Sequence, residues 1–250
     1  MQVLLALLIA HLVGDFVVQR GAVIDGKRAG RGAAFAEHGV WHLACLVGAW
    51  WLFAPVGIDV FKIAGAFVII VVSHLLADWV KCRAPSDHAI TAFVLDQAFH
   101  LGVLLLAAWW LIGRPDWFGP LTEVWQSASA NVGWLTVAYL VVVIVCGWFN
   151  RLLLDSLLPG TEGEQQGLAR AGLFIGWLER FLMFSAFLVQ AWAALGLVLA
   201  AKSVFRFESI RSQRENAEYF VIGTLLSVSQ VVVVGMLYMW LISSKWTGGV

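Results

Sequence analysis

Apolar residues fill long stretches of this chain, and polar residues collect in short gaps between them. A membrane-crossing helix needs about 20 mostly apolar residues. Seven segments approach that length: Val3–Gln19, Phe35–Phe53, Val60–Cys82, Ala89–Ile112, Val132–Leu154, Gly172–Ala201 and Tyr219–Ser243. The gaps RGAVIDGKRAGRG, CRAPSD, GRPDWFGP, PGTEGEQQG and FRFESIRSQRENAE hold the Gly, Pro and charges expected of loops. Asn131–Gly133 and Pro159–Gly163 read as further breaks. The sixth segment is too long for one perpendicular span, so it tilts, or its first part (LFIGWLERF) lies at the interface. Met1–Ala10 has neither a basic start nor a cleavage site, so the first segment reads as a membrane helix and not as a signal peptide. The expected fold is all-α: a polytopic membrane helix bundle of about seven transmembrane helices. A four-helix bundle is expected at 1–113, and three further helices with polar loops at 114–250.

Polar residues inside the apolar stretches follow a rule. The chain has 6 histidines, and all but His88 belong to a pair spaced i, i+4. The first segment carries His11 and Asp15, the second His38 and His42, the third His74 and Asp78, and the fourth Asp96 and His100. Residues four apart share one helix face. The pairs fall late in the first and third segments and early in the second and fourth. Consecutive spans are antiparallel, so all four pairs sit towards one side of the membrane. HLVGD is echoed by HLLAD, and HGVWH by DQAFH, which suggests an internal duplication with Asp96 in the place of His38. A lone membrane histidine is often a hydrogen-bonded packing residue, but four pairs at one depth point to function. His88 sits beside Asp87 in a loop and reads as solvated.

Composition sharpens this picture. The chain is 61% hydrophobic with a mean hydropathy of +0.84, and only 13% of it is charged, against about 25% in soluble domains. Zero net charge argues against a nucleic-acid partner. Membrane lipids are the expected surroundings, and a lipid-like molecule the expected substrate. Cys45, Cys82 and Cys146 are scattered and form no thiolate site. Ionisable groups in a membrane persist by pairing or by lining a functional cavity. Three buried carboxylates without a local lysine call for positive charge, and a divalent metal supplies it. Two such ions against three Asp and one hydroxide would be neutral. His11, Asp15, His38, His42, His74, Asp78, Asp96 and His100 form the candidate ligand set. Imidazole with carboxylate favours zinc, with manganese or iron as alternatives. The Asp partners are poor haem ligands and argue against haem.

The later segments hold a second polar group: Asn150, Arg151 and Asp155 in WFNRLLLD, Glu179 and Arg180 in WLERF, and Gln190 deeper in the sixth segment. Arg151 and Arg180 are candidates to hold an anionic substrate, with Asn150, Glu179 and Asp155 beside them. The competing reading is a structural pair, Arg151–Glu179 or Arg180–Asp155. Lys202 and Arg206 are expected at the opposite side, snorkelling to the surface.

AHLVGDFVVQ, EHGVWH, SHLLADWVK and LDQAFH together resemble an uncharacterised bacterial membrane family named for domain of unknown function 3307. The resemblance covers the first four segments. GLFIGWLERF, AAKSVFRF and EYFVIGTLLS look like the second half of longer members. A more distant similarity is to membrane-bound metal-dependent hydrolases of the YdjM type, which also carry His and Asp in apolar helices. The bacterial resemblance implies an inner-membrane location. The loop Lys and Arg favour an outside N-terminus by a narrow margin, which puts the His/Asp side towards the cytoplasm. The expected function is a metal-dependent hydrolase of a lipid or membrane-embedded ester or phosphate, with one of Asp15, Asp78 or Asp96 as general base. The alternatives are a divalent-cation transporter, and a metal-stabilised scaffold or proton relay without turnover. The absence of polar residues from the other half of the first four segments favours a closed site over a transport path.

Overall fold

The computed structural model describes residues 2–54, 57–83, 88–112, 128–157, 171–212 and 214–243, and these are helical apart from short turns. The predicted loops GRPDWFGP and PGTEGEQQG, and the break at Pro159–Gly163, lie outside the described residues. The chain divides into two compact units, Met1–Val137 and Ala138–Val250.

The first unit begins with α1 (Gln2–Val13). This helix is apolar around its circumference, and Val3, Leu5, Ala6, Leu7, Ile9, Ala10 and Leu12 are all buried. Such a helix needs neighbours on several sides. A π-helical turn, Gly14–Val18, follows it. At Gln19 the backbone becomes extended, and a 90° bend leads into α2 (Gly21–Arg28). RGAVIDGKRAGRG is thus largely helical where a loop was expected. Its end is a Schellman motif: Gly30 N–H donates to Lys27 O and Arg31 N–H to Gly26 O, both at 2.9 Å. Gly30 takes the left-handed conformation the motif requires, with φ 71°.

Next come α3 (Gly32–Phe53), α4 (Val60–Lys81) and α5 (Ala89–Ile112). The Asp59 side chain caps α4 by accepting from Phe61 N–H at 2.7 Å. Helix α1 packs on α3 and α5, α3 on α4, and α4 on α5, which closes a four-helix ring. Leu5, Leu7, Leu46, Phe67, Ile70, Leu104 and Leu111 fill one end of this ring. Outward-facing Val68, Ile69, Val72 and Leu76 of α4 are exposed, as a lipid-facing surface requires. Between helices in lipid, close packing and polar contacts drive association, because lipid tails are as apolar as the core.

The second unit takes its first helix from a stretch that starts as α6 (Ala128–Tyr139), passes through a π-helical segment (Leu140–Val145), and continues as α7 (Cys146–Leu157). No break occurs at Asn131–Gly133. Helix α8 (Ala171–Leu188) and α9 (Trp192–Ser212) pack together, joined by a tight turn in which Gln190 has φ 57°. The sixth apolar segment is therefore two helices and not one long tilted span, and Gln190 marks their turn. The stretch FRFESIRSQRENAE, expected as a loop, extends α9 and opens α10 (Arg214–Ser243). Val142, Met183, Phe184 and Val231 form the core of this unit.

Four described stretches are long and apolar enough to cross a membrane: Val60–Lys81, Ala89–Ile112, Asn131–Leu157 and Glu218–Leu241. The bent pair Gln2–Val18 and Gly21–Arg28 adds a fifth if counted as one broken span. The chain is a membrane helical bundle.

Candidate metal centre

The polar pairs of α1, α3, α4 and α5 meet inside the ring, at the end opposite its apolar core. His11, His38, His42, His74 and His100 are each at most 5% exposed. His74 is their hub. Its ring centroid lies 4.1 Å from that of His42, 4.3 Å from His100, 5.0 Å from His38 and 5.6 Å from His11.

Asp15 reaches this hub from the π-helical turn, the kind of wide turn that recurs at functional sites. Its Oδ1 lies 3.0 Å from His74 Nε2, 3.4 Å from His38 Nε2 and 3.9 Å from His42 Nε2. Its Oδ2 lies 3.9 Å from His11 Nδ1. The turn comes this close because residue 14 is glycine: a Cβ there would stand 3.1 Å from His42 Cδ2. His38 Nε2 and His74 Nε2 are 2.8 Å apart, so one donates to the other.

The other two carboxylates hold lysines. Lys27, on α2, is 5% exposed and its ammonium bonds Asp78 Oδ2. The same oxygen lies 3.4 Å from His38 Nε2 and 3.7 Å from His74 Nε2. Lys81 Nζ donates to Asp96 Oδ2 at 2.5 Å. Gln97 bridges this pair to α1, donating to Asp96 Oδ2 at 3.1 Å and sitting 3.3 Å from His11 Nε2. His100 Nδ1 lies 3.7 Å from Asp96 Oδ1. The expectation of carboxylates without a local lysine is thus overturned: two of the three are neutralised. Lys27 escaped because its segment reads as a basic loop, and Lys81 because a lysine at a helix end reads as an interfacial anchor. Gln97, next to Asp96 in LDQAFH, carried the one usable signal.

Several buried atoms of the cluster have no hydrogen-bond partner: both ring nitrogens of His42 and of His100, Nδ1 of His74, and Oδ1 of Asp96. Buried polar atoms are otherwise nearly always paired. His11, Asp15, His74 and His100 each offer one donor atom within 4.8 Å of the others, and His38, His74 and Asp78 form a second such group. Imidazoles with one carboxylate are a donor set that suits zinc, iron or manganese. His42 and Asp96 fall outside both groups but adjoin them. His88 is exposed at the start of α5.

The second polar set lies in the second unit. Arg180 is 8% exposed, and its Nε donates to Val143 O at 3.0 Å. In that π-helical segment Cys146 N–H bonds the carbonyl five residues back, Val141 O, and Arg180 takes up a neighbouring carbonyl. Gly147 makes room, since a Cβ there would collide with the guanidinium. Asn150, buried, accepts from Gln230 Nε2 at 2.7 Å and donates to Ser227 Oγ at 3.3 Å. Glu179 Oε2 binds Lys202 Nζ at 2.6 Å. Lys202 therefore lies level with Glu179, because the sixth segment doubles back at Gln190. The Arg206 side chain lies outside the described residues. Arg151 pairs with Asp155 at 3.8 Å on an exposed face. The structure thus pairs Glu179 with Lys202 and Arg151 with Asp155, partners other than the Arg151–Glu179 or Arg180–Asp155 pairs offered as the competing reading.

Fold and cluster together define an integral membrane helical bundle with a buried His/Asp centre. A family model described as a protein of unknown function (DUF3307) matches residues 3–124, a stretch that takes in α1 from its second residue, α2 to α5 and every residue of the cluster. No curated protein and no solved structure matches the chain.

Proposed function

We propose that this chain is a membrane metalloenzyme that holds one divalent ion, zinc in first place and manganese or iron next, and hydrolyses a lipid or membrane-embedded ester or phosphate. The observation that carries the reading is the set of unpartnered nitrogens on His42, His74 and His100 around Asp15. A buried histidine without a partner costs stability, and a cation gives these nitrogens one. His11, Asp15, His74 and His100 would hold the ion, with His42 adjoining. Charge supports one ion over two. Asp15, Asp78 and Asp96 bring three negative charges and Lys27 and Lys81 two positive ones. One divalent ion then leaves a single positive charge, which an anionic substrate cancels.

When bound, such an ion polarises a carbonyl or phosphoryl oxygen and lowers the pKa of water. The protein's own part is orientation and charge. Lys27 holds Asp78 against the His38–His74 pair. Gln97 fixes the His11 ring while bridging to Asp96. The distant resemblance to YdjM-type hydrolases agrees with this reading. Helix α3, whose 22 residues extend about 33 Å, would cross a bilayer core of about 30 Å. The site would face the cytoplasmic side of a bacterial inner membrane.

A second reading is a metal-free proton relay, favoured by the 2.8 Å contact between His38 and His74. Elemental mass spectrometry of the untagged protein in mild detergent separates the two. About one metal per chain, lost in His74→Ala, is the expected result, since His74 belongs to both donor groups. Metal-free wild-type protein after gentle purification would leave the relay.

A further inference from the structure

Helix α2, the start of α3 and the end of α4 line a half-open cavity of about 550 Å³. That volume is in the range of small-molecule sites, about 300–1,000 Å³. Among its described lining residues are three cations, Lys27, Arg28 and Arg83, and no carboxylate. Lys27 joins the cavity to the His/Asp cluster, for its ammonium lies on Asp78. Arg28 is exposed. Arg83 is held flat, its Cζ 3.4 Å from the Trp79 ring centroid and its Nη1 donating to Trp79 O at 2.9 Å. One of its five N–H donors is used in that bond, and the fork can still receive an oxyanion. With Lys27 balanced by Asp78, two positive charges are left at the opening.

We propose that this cavity binds a phosphate group, and that the phosphate is the headgroup of an anionic phospholipid. Two arginines suit phosphate oxygens better than they suit a neutral ester. The cavity lies where the α4 span ends, beside Trp79, and tryptophan marks headgroup depth. Phe35 and Trp79 give the wall an apolar part, which free phosphate would not use. As the substrate pocket of the hydrolase, the site rests on the metal reading above; as a phosphate pocket it does not.

The test uses the full chain in detergent, stripped of lipid and chelated, titrated with dioctanoyl phosphatidic acid and followed by tryptophan fluorescence. Dioctanoyl phosphatidylcholine and inorganic phosphate are the comparison ligands. The expected result is saturable phosphatidic acid binding, weakened about tenfold or more in Arg28→Ala/Arg83→Ala, with little competition from millimolar phosphate. Metal content of the variant stays at the wild-type level. Should the double variant not fold, Arg28→Ala alone, a change at an exposed side chain, carries the comparison. Equal phosphatidic acid affinity in wild type and variant overturns the site, and equal affinity for phosphatidylcholine, a zwitterionic phosphodiester, overturns the assignment to an anionic headgroup. Inorganic phosphate binding as tightly as the lipid overturns the lipid assignment and upholds phosphate recognition. Phosphatidic acid binding by a wild-type protein that never takes up metal removes the hydrolase reading and keeps the pocket.

Discussion

Replacing Lys27 by methionine keeps the length of the side chain and removes its charge. The Lys27 and Asp78 side chains are 5% and 7% exposed, so water cannot take over the lost partner. Breaking a buried pair on one side costs about 3–5 kcal/mol, chiefly because the remaining charge stays buried alone. For a chain of this size about 1 kcal/mol moves the unfolding midpoint by about 2–4 °C. Lys27→Met should therefore lower the midpoint by about 6–20 °C, measured by tryptophan fluorescence on heating in detergent with a chelator present. Lys27→Met/Asp78→Asn should recover part of that loss, because the uncompensated charge goes as well. The two single changes would then fail to add. A midpoint for Lys27→Met within about 2 °C of wild type would rule out a buried charge pair as the source of stability: it would mean that Asp78 is neutralised some other way, by a proton or by solvent.

Three further outcomes follow from the geometry. Lys81→Met should cost less than Lys27→Met in the same melt, because the Lys81 side chain is 34% exposed and water can stand in for it near Asp96; a larger loss would contradict the ranking by burial. Gly14→Ala puts a methyl 3.1 Å from His42 Cδ2 and should push that ring off Asp15, reducing metal content while leaving helix content by circular dichroism unchanged. Asn150→Leu takes the acceptor from Gln230 Nε2 on α10 and should destabilise the protein by about 1–3 kcal/mol without altering metal content, which elemental mass spectrometry of the folded variant would check.

Much of this was legible in the sequence. Apolar length alone yields helices at Val60–Lys81 and Ala89–Ile112, because a membrane helix must satisfy its own backbone and therefore shows as one unbroken run. The four i, i+4 pairs were legible for a related reason: few side chains are tolerated in lipid, so each ionisable one stands out. Their alternation between late and early positions in antiparallel segments put them at one depth, and the ring of α1, α3, α4 and α5 brings them within a few ångströms.

What the tertiary structure decided is which charges balance which. Lys27 lies 51 positions from Asp78, in a glycine-bearing segment whose composition is that of a loop. Only the 90° bend after Gln19 and the Schellman turn at Gly30 fold it under the bundle. The same holds at Gln190, where one turn makes two helices of a long, mostly apolar segment and sets Lys202 against Glu179. Hydropathy reports how much apolar surface a segment carries, and it is blind to a change of direction made by one or two residues. Apolar runs and i, i+4 spacing were enough to give a membrane bundle with a shared depth for its histidines. The tertiary contacts decided that two of three carboxylates are already paired, which leaves Asp15 as the one whose charge the centre has still to meet.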